Sequence, residues 1–414
     1  MKLDVYFGRT KAGELRSTDN RGVIFEYDEN YLSDSASIRL SSSLPLQKEE
    51  FSQKECIPFF SGLLPEGDSR KKIADYLHVS ETSTLKLLES LGGECAGLIT
   101  LTNEENPTLQ KDFYDFTEQN YEPLTDETIS DFIKKIPERP LIKADDKLRL
   151  SLAGAQEKLA LAKFNEKWFL PLNGAPSTHI LKPTREGSLS TLAKNEYICM
   201  KLAKESGLDV PDVDLINLAE KDIFVVERYD RNIKKNTIQR LHQEDFCQAL
   251  GIMSEIKYQN DGGPGIKDIS NVIKSTMTVP ALELQKLLRA IVFNFLIGNC
   301  DSHGKNYSLL YNGKKTILAP LYDVVSTTVY SGLTDKLSMK IGKHYEIDKV
   351  SLADYKLLSE SLGINFSMIN SIFAQFEKNI ALACSKIEND EKVDKNLLEQ
   401  IMDGVKQRLI QIQS

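Results

Sequence analysis

The chain has 414 residues, of which 41% are hydrophobic and 27% are charged, and its formal net charge is −8. This length is typical of about two to three domains of roughly 150 residues, each able to bury its own core. The negative charge excludes DNA binding by bulk electrostatics but leaves a local basic patch open.

The start of the chain and the cysteines favour a cytoplasmic protein. The first residues, MKLDVYFGRTKAGELR, carry charges and lack the apolar core of a signal peptide, so we expect no export. The most apolar stretch, AIVFNFLIGNC, is far shorter than the roughly 20 residues that cross a bilayer, so we expect no membrane span. The six cysteines show no C-x-x-C pair, so we expect reduced, mostly buried thiols and no zinc site.

The first part of the chain, residues 1–105, predicts a compact mixed subdomain. Strand-like runs, LDVYFG and VIFEYD, alternate with polar turns, and residues 69–93 then follow a helical period that stops at a glycine pair. Residues 106–145 are polar and rich in proline, and we interpret them as a linker region with one helix, TDETISDFIKKI.

From residue 146 the pattern becomes β-rich and then helical. KLALAKFN, KWFLPLN and THILKPT predict strands, TLAKNEYICMKLAKESG predicts a helix, and VDLINL with DIFVVERYD predicts a hairpin. The clearest later helix, ELQKLLRAIVFNFLIGN, has apolar residues at positions 284, 287, 288, 291, 292, 295 and 296. We therefore predict a β-rich lobe over 146–235 and a helical lobe over 236–414.

The stretch NCDSHGKNYSLLYNGKK, residues 299–315, directly follows that helix. Asp301 and Asn306 have the D-x-x-x-x-N spacing of the kinase catalytic loop, in which the aspartate accepts the proton of the substrate hydroxyl and the asparagine binds magnesium. The spacing alone is a weak signal. A predicted hairpin with an Asn-Gly turn leads the chain back to LYDVVS, so we expect Asp323 to converge on the same metal.

Residues upstream supply the other parts of a phosphoryl-transfer site, in the order that kinases have them. Lys182 lies on a predicted strand and Glu196 on the following helix, as do the lysine and glutamate that pair in kinases. The small residues 153–155 predict a turn whose amides approach phosphate oxygens, although the segment is not a Walker motif. The extended FVVERYD, residues 224–230, suits a hinge that pairs with adenine.

Nine motifs resemble, in their residues and in their order along the chain, those of the HipA family of serine/threonine kinase toxins. FFSGLLPEGDSRKKIA and LESLGGECAG resemble its amino-terminal subdomain; the others are SLAGAQEKLAL, HILKP, NEYICMKLAKESGLDVP, VVERYDR, LHQEDFCQALG, GNCDSHGKNYSLL and LAPLYDVVST. The resemblance covers most of the chain and is weakest after about residue 340. It implies an α+β, two-lobed, protein-kinase-like fold of the HipA type, with a small β-rich amino-terminal subdomain and a helical carboxy-terminal lobe.

The resemblance also implies roles for individual residues. Asp301 is then the catalytic base, Asn306 and Asp323 hold Mg²⁺, and Lys182 contacts the phosphates of ATP. Ser151 is the implied autophosphorylation site, where about two added negative charges oppose ATP phosphates. The other implied ATP contacts are the phosphate-loop residues Ala153, Gly154, Ala155, Gln156, Glu157 and Lys158, the hinge residues Glu227, Arg228 and Tyr229, and His303, Gly304, Lys305, Asn306 and Tyr322.

The implied partners are an antitoxin and a protein substrate. The antitoxin is a HipB-like, dimeric helix-turn-helix protein, and this acidic chain then reaches DNA only through it. The implied substrate is an aminoacyl-tRNA synthetase, chiefly glutamate-tRNA ligase. The catalytic loop has Ser302 where the family often has glycine or alanine, a change that leaves each role filled. No pattern in the tail identifies basic residues that contact DNA.

Two alternatives stay open at this point. A small-molecule kinase has the same two lobes and the same D-x-x-x-x-N spacing of aspartate and asparagine, although the matched amino-terminal subdomain disfavours this alternative. A non-catalytic co-repressor that only binds an antitoxin is disfavoured because it has no need of Lys182, Asp301, Asn306 and Asp323 together. Each of these residues alone has an ordinary explanation as a cap, a turn or a surface ion pair.

Overall fold

The computed structural model describes residues 1–19, 22–93, 95–103, 113–135, 156–184, 187–218 and 220–413. The chain divides into two compact units, which are described one at a time. The first unit holds residues 1–182, 227–255 and 310–314, and the second unit holds residues 183–226, 256–309 and 315–414. Both units combine helices with strands, so the predicted α+β class is confirmed.

The described helices and strands follow the predicted order, with helices prevailing towards the end of the chain. The strands are β1 Lys2–Phe7, β2 Thr10–Ser17, β3 Val23–Tyr27, β4 Ile99–Thr102, β5 Phe113–Asp115, β6 Tyr121–Pro123, β7 Leu159–Phe164, β8 Lys167–Pro171, β9 His179–Pro183, β10 Val213–Leu218, β11 Lys221–Glu227, β12 Arg231–Lys234, β13 Thr237–Arg240, β14 His242–Asp245, β15 Ser308–Asn312, β16 Lys315–Leu318, β17 Lys336–Ile341 and β18 His344–Glu346. The α-helices are α1 Glu29–Ser33, α2 Gln53–Ser61, α3 Gly67–Tyr76, α4 Thr84–Leu91, α5 Asp126–Lys135, α6 Leu192–Glu205, α7 Phe246–Leu250, α8 Ile266–Thr276, α9 Pro280–Ile297, α10 Leu352–Leu362, α11 Phe366–Ile387 and α12 Lys395–Gln413.

In the first unit, an antiparallel sheet of order β3-β2-β1-β4 packs against α2 and α4. Its core includes Leu3 and Val5, which are fully buried and alternate with the half-buried Asp4, as expected for a strand with one face on a core. The helical period that the sequence shows over 69–93 belongs to two helices, α3 and α4. The second of them ends at Gly92, as predicted.

Two further strand sets lie in the first unit. Strand β7 pairs with β8 and β9, β6 pairs with β8, and β13 pairs with β12 and β5, all antiparallel. Strands β5 and β6 lie in the region interpreted as a linker, where only helix α5 had been predicted. Tyr114 and Tyr121 from this region are buried in one cluster with Ala162 and Ile238. The described part of the linker region therefore contributes to a core.

The second unit is organised around α9, which contacts α8, α11 and α12. Every apolar position predicted for its buried stripe is at most 8% exposed. Pro280 occupies the first turn, where its missing N–H is not needed, and Gly298 ends the helix in the left-handed conformation. Strands β10 and β11 form the predicted antiparallel hairpin.

The cysteines and the helices bear on two expectations about the protein's environment. All six cysteines are free, and five of them are buried, which agrees with the expected reduced, mostly buried thiols. Across the described ranges, no helix combines the length and the apolarity that a membrane span needs.

Candidate active site

The loop that follows α9 is fixed at its first residues by the segment that follows Asp323. The carbonyl of Gly298 accepts hydrogen bonds from the amides of Thr327 and Thr328, at 3.0 and 3.2 Å, and from the Thr327 hydroxyl at 3.0 Å. The amide of Cys300 donates to that same hydroxyl oxygen at 2.9 Å. These bonds connect the two stretches of chain that carry Asp301 and Asp323.

A buried polar network lies beneath the loop. The side-chain amide of Asn294, on α9, donates to the hydroxyls of Ser302 and Tyr307 at 3.1 and 3.2 Å, and these hydroxyls lie 2.7 Å apart. Asn299 donates to Asn294 at 2.9 Å, and its own side-chain oxygen accepts from the Asp301 amide at 3.1 Å. Because buried polar groups need partners, this network specifies one loop conformation. Ser302 is therefore a structural member of the loop.

Asp301 itself is exposed at the surface of the second unit. Its Oδ1 accepts a hydrogen bond of 2.8 Å from the hydroxyl of Tyr258. An exposed carboxylate on a rigid backbone is suited to meet a substrate hydroxyl, which is the geometry that a general base requires.

Asn306 and Asp323 lie together, as the sequence predicted. The Asn306 side-chain nitrogen is 3.4 Å from Oδ2 of Asp323, and its Oδ1 accepts from the His303 amide at 3.0 Å. Asp323 has a φ of 56°, a conformation that non-glycine residues rarely adopt. Tyr322 stabilises this stretch, because its hydroxyl donates to the Lys305 carbonyl at 2.7 Å. The strained aspartate is thus held against Asn306 by its neighbours.

The oxygen donors of this pair fit a magnesium ion. Mg²⁺ prefers hard oxygen ligands and commonly takes one or two carboxylates, with waters and substrate phosphates completing its shell. Asp323 is exposed and supplies a carboxylate, and the carbonyl oxygen of Asn306 has a second lone pair beyond the His303 bond. Within the described ranges no three His, Cys, Asp or Glu side chains form a metal cluster, so a fully protein-coordinated site is not seen there.

His303 is buried directly beside this pair. Burial, together with the positive charges of Lys257 and Lys305, lowers the pKa of His303 to about 3, so the ring is neutral. Its Nδ1 has no hydrogen-bond partner among the described residues. A neutral imidazole with an unused ring nitrogen agrees with the predicted contact between His303 and a nucleotide, which stays a prediction.

Helix α6, which carries Glu196, contacts the segment that follows Asp323. Neighbouring Asn195 donates to the Ser326 carbonyl at 3.0 Å and accepts from the Ser326 amide at 2.8 Å. Glu196 is 2% exposed. Lys182 belongs to the other unit, where it is buried near the end of β9. The pairing of Lys182 with Glu196 stays a prediction.

The predicted hinge lies in the first unit at the end of β11. The Arg228 amide donates to the Thr178 carbonyl at 2.8 Å, and its guanidinium donates to both carboxylate oxygens of Asp230 at 2.9 and 2.8 Å. Burial opposes the charge of Asp230, but the guanidiniums of Arg228 and Arg231 hold its pKa well below the usual range. Arg228 thus organises the turn. The contacts of Glu227, Arg228 and Tyr229 with adenine stay predictions.

The predicted phosphate loop is only partly described. Ser151, Ala153, Gly154 and Ala155 lie outside the described residues, whereas Gln156, Glu157 and Lys158 lie within them. Glu157 forms an ion pair of 2.9 Å with Lys72 of α3. The amino-terminal subdomain therefore contacts the end of this loop directly.

Tyr258, Asn294 and Arg408 are among the residues of this site that the sequence did not predict. Arg408, on α12, donates to the Leu296 carbonyl at 2.9 Å, where α9 ends. Asn294 carried one signal, because it interrupts the apolar surface of α9 with a buried amide. The other two are 43 and 107 residues from Asp301 in the chain and had no local signal.

Comparisons with known proteins match almost the whole of this chain. The family model described as HipA-like C-terminal domain matches residues 150–406, and the model described as HipA N-terminal domain matches residues 3–102. A Sinorhizobium fredii protein named "Putative kinase Y4mE" is 36% identical over 389 residues, which are 94% of this chain and 92% of that protein. The serine/threonine-protein kinase toxin HipA of Shewanella oneidensis is 29% identical over 400 residues, covering 94% and 89% of the two chains.

A solved structure shares the fold. It is the Shewanella oneidensis HipA in complex with HipB and operator DNA, and it matches with a TM-score of 0.81 over 99% of this chain and 97% of that chain. The sequences are 24% identical, so this likeness establishes the fold. It confirms the predicted HipA-type fold.

Proposed function

Because the chain belongs to the HipA family and is a protein kinase, we propose that it transfers the γ-phosphoryl group of ATP to serine or threonine, with Asp301 as the base. The observation that carries this proposal is the exposed carboxylate of Asp301 on a loop that also holds Asn306 against Asp323. The acceptor oxygen forms a bond to the γ-phosphorus while the bond to the ADP oxygen breaks, and the acceptor's proton moves to Asp301.

In this proposal the protein acts mainly by positioning the reacting groups. The networks around Gly298 and Asn294 fix the backbone of Asp301, which is what a catalyst that works by orientation requires. Asn306 and Asp323 would hold Mg²⁺, which would supply positive charge against the phosphoryl oxygens. We also assign Lys182, Gln156 to Lys158, Glu227 to Tyr229, His303 to Lys305 and Tyr322 to the binding of ATP.

We further propose that the chain is the toxin of a HipBA-like module in the cytoplasm. The Shewanella oneidensis relative is named a toxin, and its solved complex contains HipB and operator DNA. A HipB-like antitoxin is therefore the partner that we propose, with DNA reached through it. The proposed target is an aminoacyl-tRNA synthetase such as glutamate-tRNA ligase, and the proposed silencing event is autophosphorylation of Ser151.

The first test is a transfer assay with a matched pair of variants. The purified chain is incubated with radiolabelled ATP, magnesium and a bacterial lysate, beside Asp301→Asn and Asp348→Asn. Asp348 is another exposed aspartate of the second unit. We expect labelling to fall at least about 100-fold in Asp301→Asn, the lower range for loss of a general base, and to persist in Asp348→Asn.

The outcomes separate the parts of the proposal. A labelled protein with the mass of an aminoacyl-tRNA synthetase, absent with Asp301→Asn, supports both the activity and the target. Full labelling by Asp301→Asn refutes the role of Asp301. Lack of ATP consumption by untreated and by phosphatase-treated protein refutes the kinase itself and favours the co-repressor. Intact-mass analysis tests Ser151: a phosphate-sized addition is expected, and it is expected to vanish in Ser151→Ala and Asp301→Asn.

A further inference from the structure

The hydroxyl of Tyr258 donates a hydrogen bond to the carboxylate of Asp301, the proposed base. The donor oxygen lies 2.8 Å from Oδ1 of Asp301. The Tyr258 ring also meets the edge of the His303 ring, with centroids 5.3 Å apart at an angle of 76°. The ring is therefore oriented by two contacts with the catalytic loop, both within the second unit.

The backbone at Tyr258 is held by a tight turn. The amides of Asp261 and Gly263 both donate to the Tyr258 carbonyl, at 3.0 and 2.9 Å. Gly263 lies so close to the carbonyls of Ile256 and Lys257 that a Cβ atom has no room there. Gln259 extends the anchoring, because its side-chain oxygen accepts from the Lys340 amide at 2.9 Å. The backbone that carries the Tyr258 side chain is thus held in one conformation.

Asp301 needs such a partner because its side chain is exposed. The networks under the loop fix its backbone, but the χ2 distribution of aspartate is broad, so contacts with the side chain decide how the carboxylate is oriented. A base must present one oxygen to the acceptor hydroxyl within a narrow range of positions. A hydroxyl fixed 2.8 Å from Oδ1 selects one carboxylate orientation.

We infer that Tyr258 is a positioning residue for phosphoryl transfer, which holds Oδ1 of Asp301 so that the second carboxylate oxygen faces the acceptor hydroxyl. The inference rests on the proposed role of Asp301 as the base. The opposite function, a gate in which Tyr258 occupies the acceptor's place and must leave, conflicts with the rigid turn that carries it. The two functions predict changes of opposite sign in kcat when the Tyr258 hydroxyl is removed.

The experiment compares Tyr258→Phe with Tyr345→Phe, which removes the hydroxyl of a tyrosine on β18. ADP formation is followed with magnesium, ATP and dephosphorylated casein, so that transfer to any acceptor, water included, is counted. We expect kcat of Tyr258→Phe to fall about tenfold, at the low end for a hydrogen bond to a charged group because Asp301 is exposed. KM for ATP and the melting temperature should match those of Tyr345→Phe.

A second background tests whether Tyr258 acts through Asp301. In Asp301→Glu the carboxylate is displaced by one methylene, so adding Tyr258→Phe should cost much less than tenfold. An equal loss in both backgrounds, a change in KM alone, or a kcat at or above the wild-type value would overturn the inference. If Asp301→Asn keeps full activity, the base assignment has failed, and that result is distinct from a failure of Tyr258 alone.

Discussion

Gly298 and Gly363 offer a matched test of how strongly the catalytic loop depends on its anchor. Both residues end a helix in the left-handed conformation, with φ of 76° and 66°. A Cβ on Gly363 would meet no atom within 4 Å, whereas a Cβ on Gly298 would collide with the side chains of Thr328 and Arg408. Alanine at either position therefore adds the same backbone strain, but only at Gly298 does it add a steric conflict.

The expected costs follow from the backbone strain, the steric conflict and the displacement of Arg408. Left-handed backbone costs an L-residue about 1–2 kcal/mol, which is the whole cost expected for Gly363→Ala. At Gly298 the collision adds about 1–3 kcal/mol of overpacking. Displacing Arg408 from the Leu296 carbonyl adds about 1–3 kcal/mol for a buried group left without its partner. Gly298→Ala should therefore destabilise the second unit by roughly 3 kcal/mol more than Gly363→Ala does.

Thermal melts and ADP formation together provide the assay. For a unit of this size a 3 kcal/mol difference corresponds to a separation of about 6–12 °C between the midpoints of the two variants. At a temperature where both are folded, Gly298→Ala should also lose more activity, because Asp301 follows three residues later. Equal midpoints for the two variants would refute the argument that Thr328 and Arg408 hold the loop in place.

Two further predictions concern buried polar groups. Asn294→Ala removes the partner of Ser302, Tyr307 and Asn299, and it should lower the free energy of unfolding by about 3 kcal/mol. The control Asn379→Ala loses one bond of 3.4 Å and should change that free energy by no more than about 0.5 kcal/mol. Denaturant unfolding measures both, and equal losses for the two variants would contradict this prediction. Burial lowers the pKa of His242 to about 4 from 6.5, so the neutral ring contributes stability above pH 6.5 that is lost as the pH falls through 4, of the order of 3 kcal/mol. His242→Gln should remove that share of the acid-side loss, as unfolding free energies of both proteins between pH 7.5 and 4 will show.

The sequence predicted the elements whose signal is local. The apolar stripe of α9 repeats over the whole helix, and each predicted position is buried because helical period and burial are directly linked. The strands from β7 to β11 were recognised for the same reason. The hairpin turn was predicted at Asn312 and Gly313, one residue too early. Strand β15 extends through Asn312, so the loop is formed by Gly313 and Lys314.

The features that the sequence did not reveal depend on distant parts of the chain. Strands β5 and β6 have three residues each, too few for a period to be visible, and they exist because β13 and β8 pair with them. Arg408 is buried although it is charged, and burial lowers its pKa to about 10. Its partners at Leu296 and Thr328 are 112 and 80 residues away in the chain, so nothing in the tail indicates that it supports the active site.

Several supports of the candidate base and metal ligands lie within the second unit. Asn294 and Arg408 lie on helices α9 and α12, Thr327 follows Asp323, and Tyr258 precedes α8. Bonds within the second unit therefore help to set the geometry that Asp301 needs. Substitutions in these supports should then lower kcat, because the supports position the groups that act on the acceptor, whereas substitutions in the hinge or phosphate loop should raise KM for ATP, because those residues are assigned to the binding of ATP.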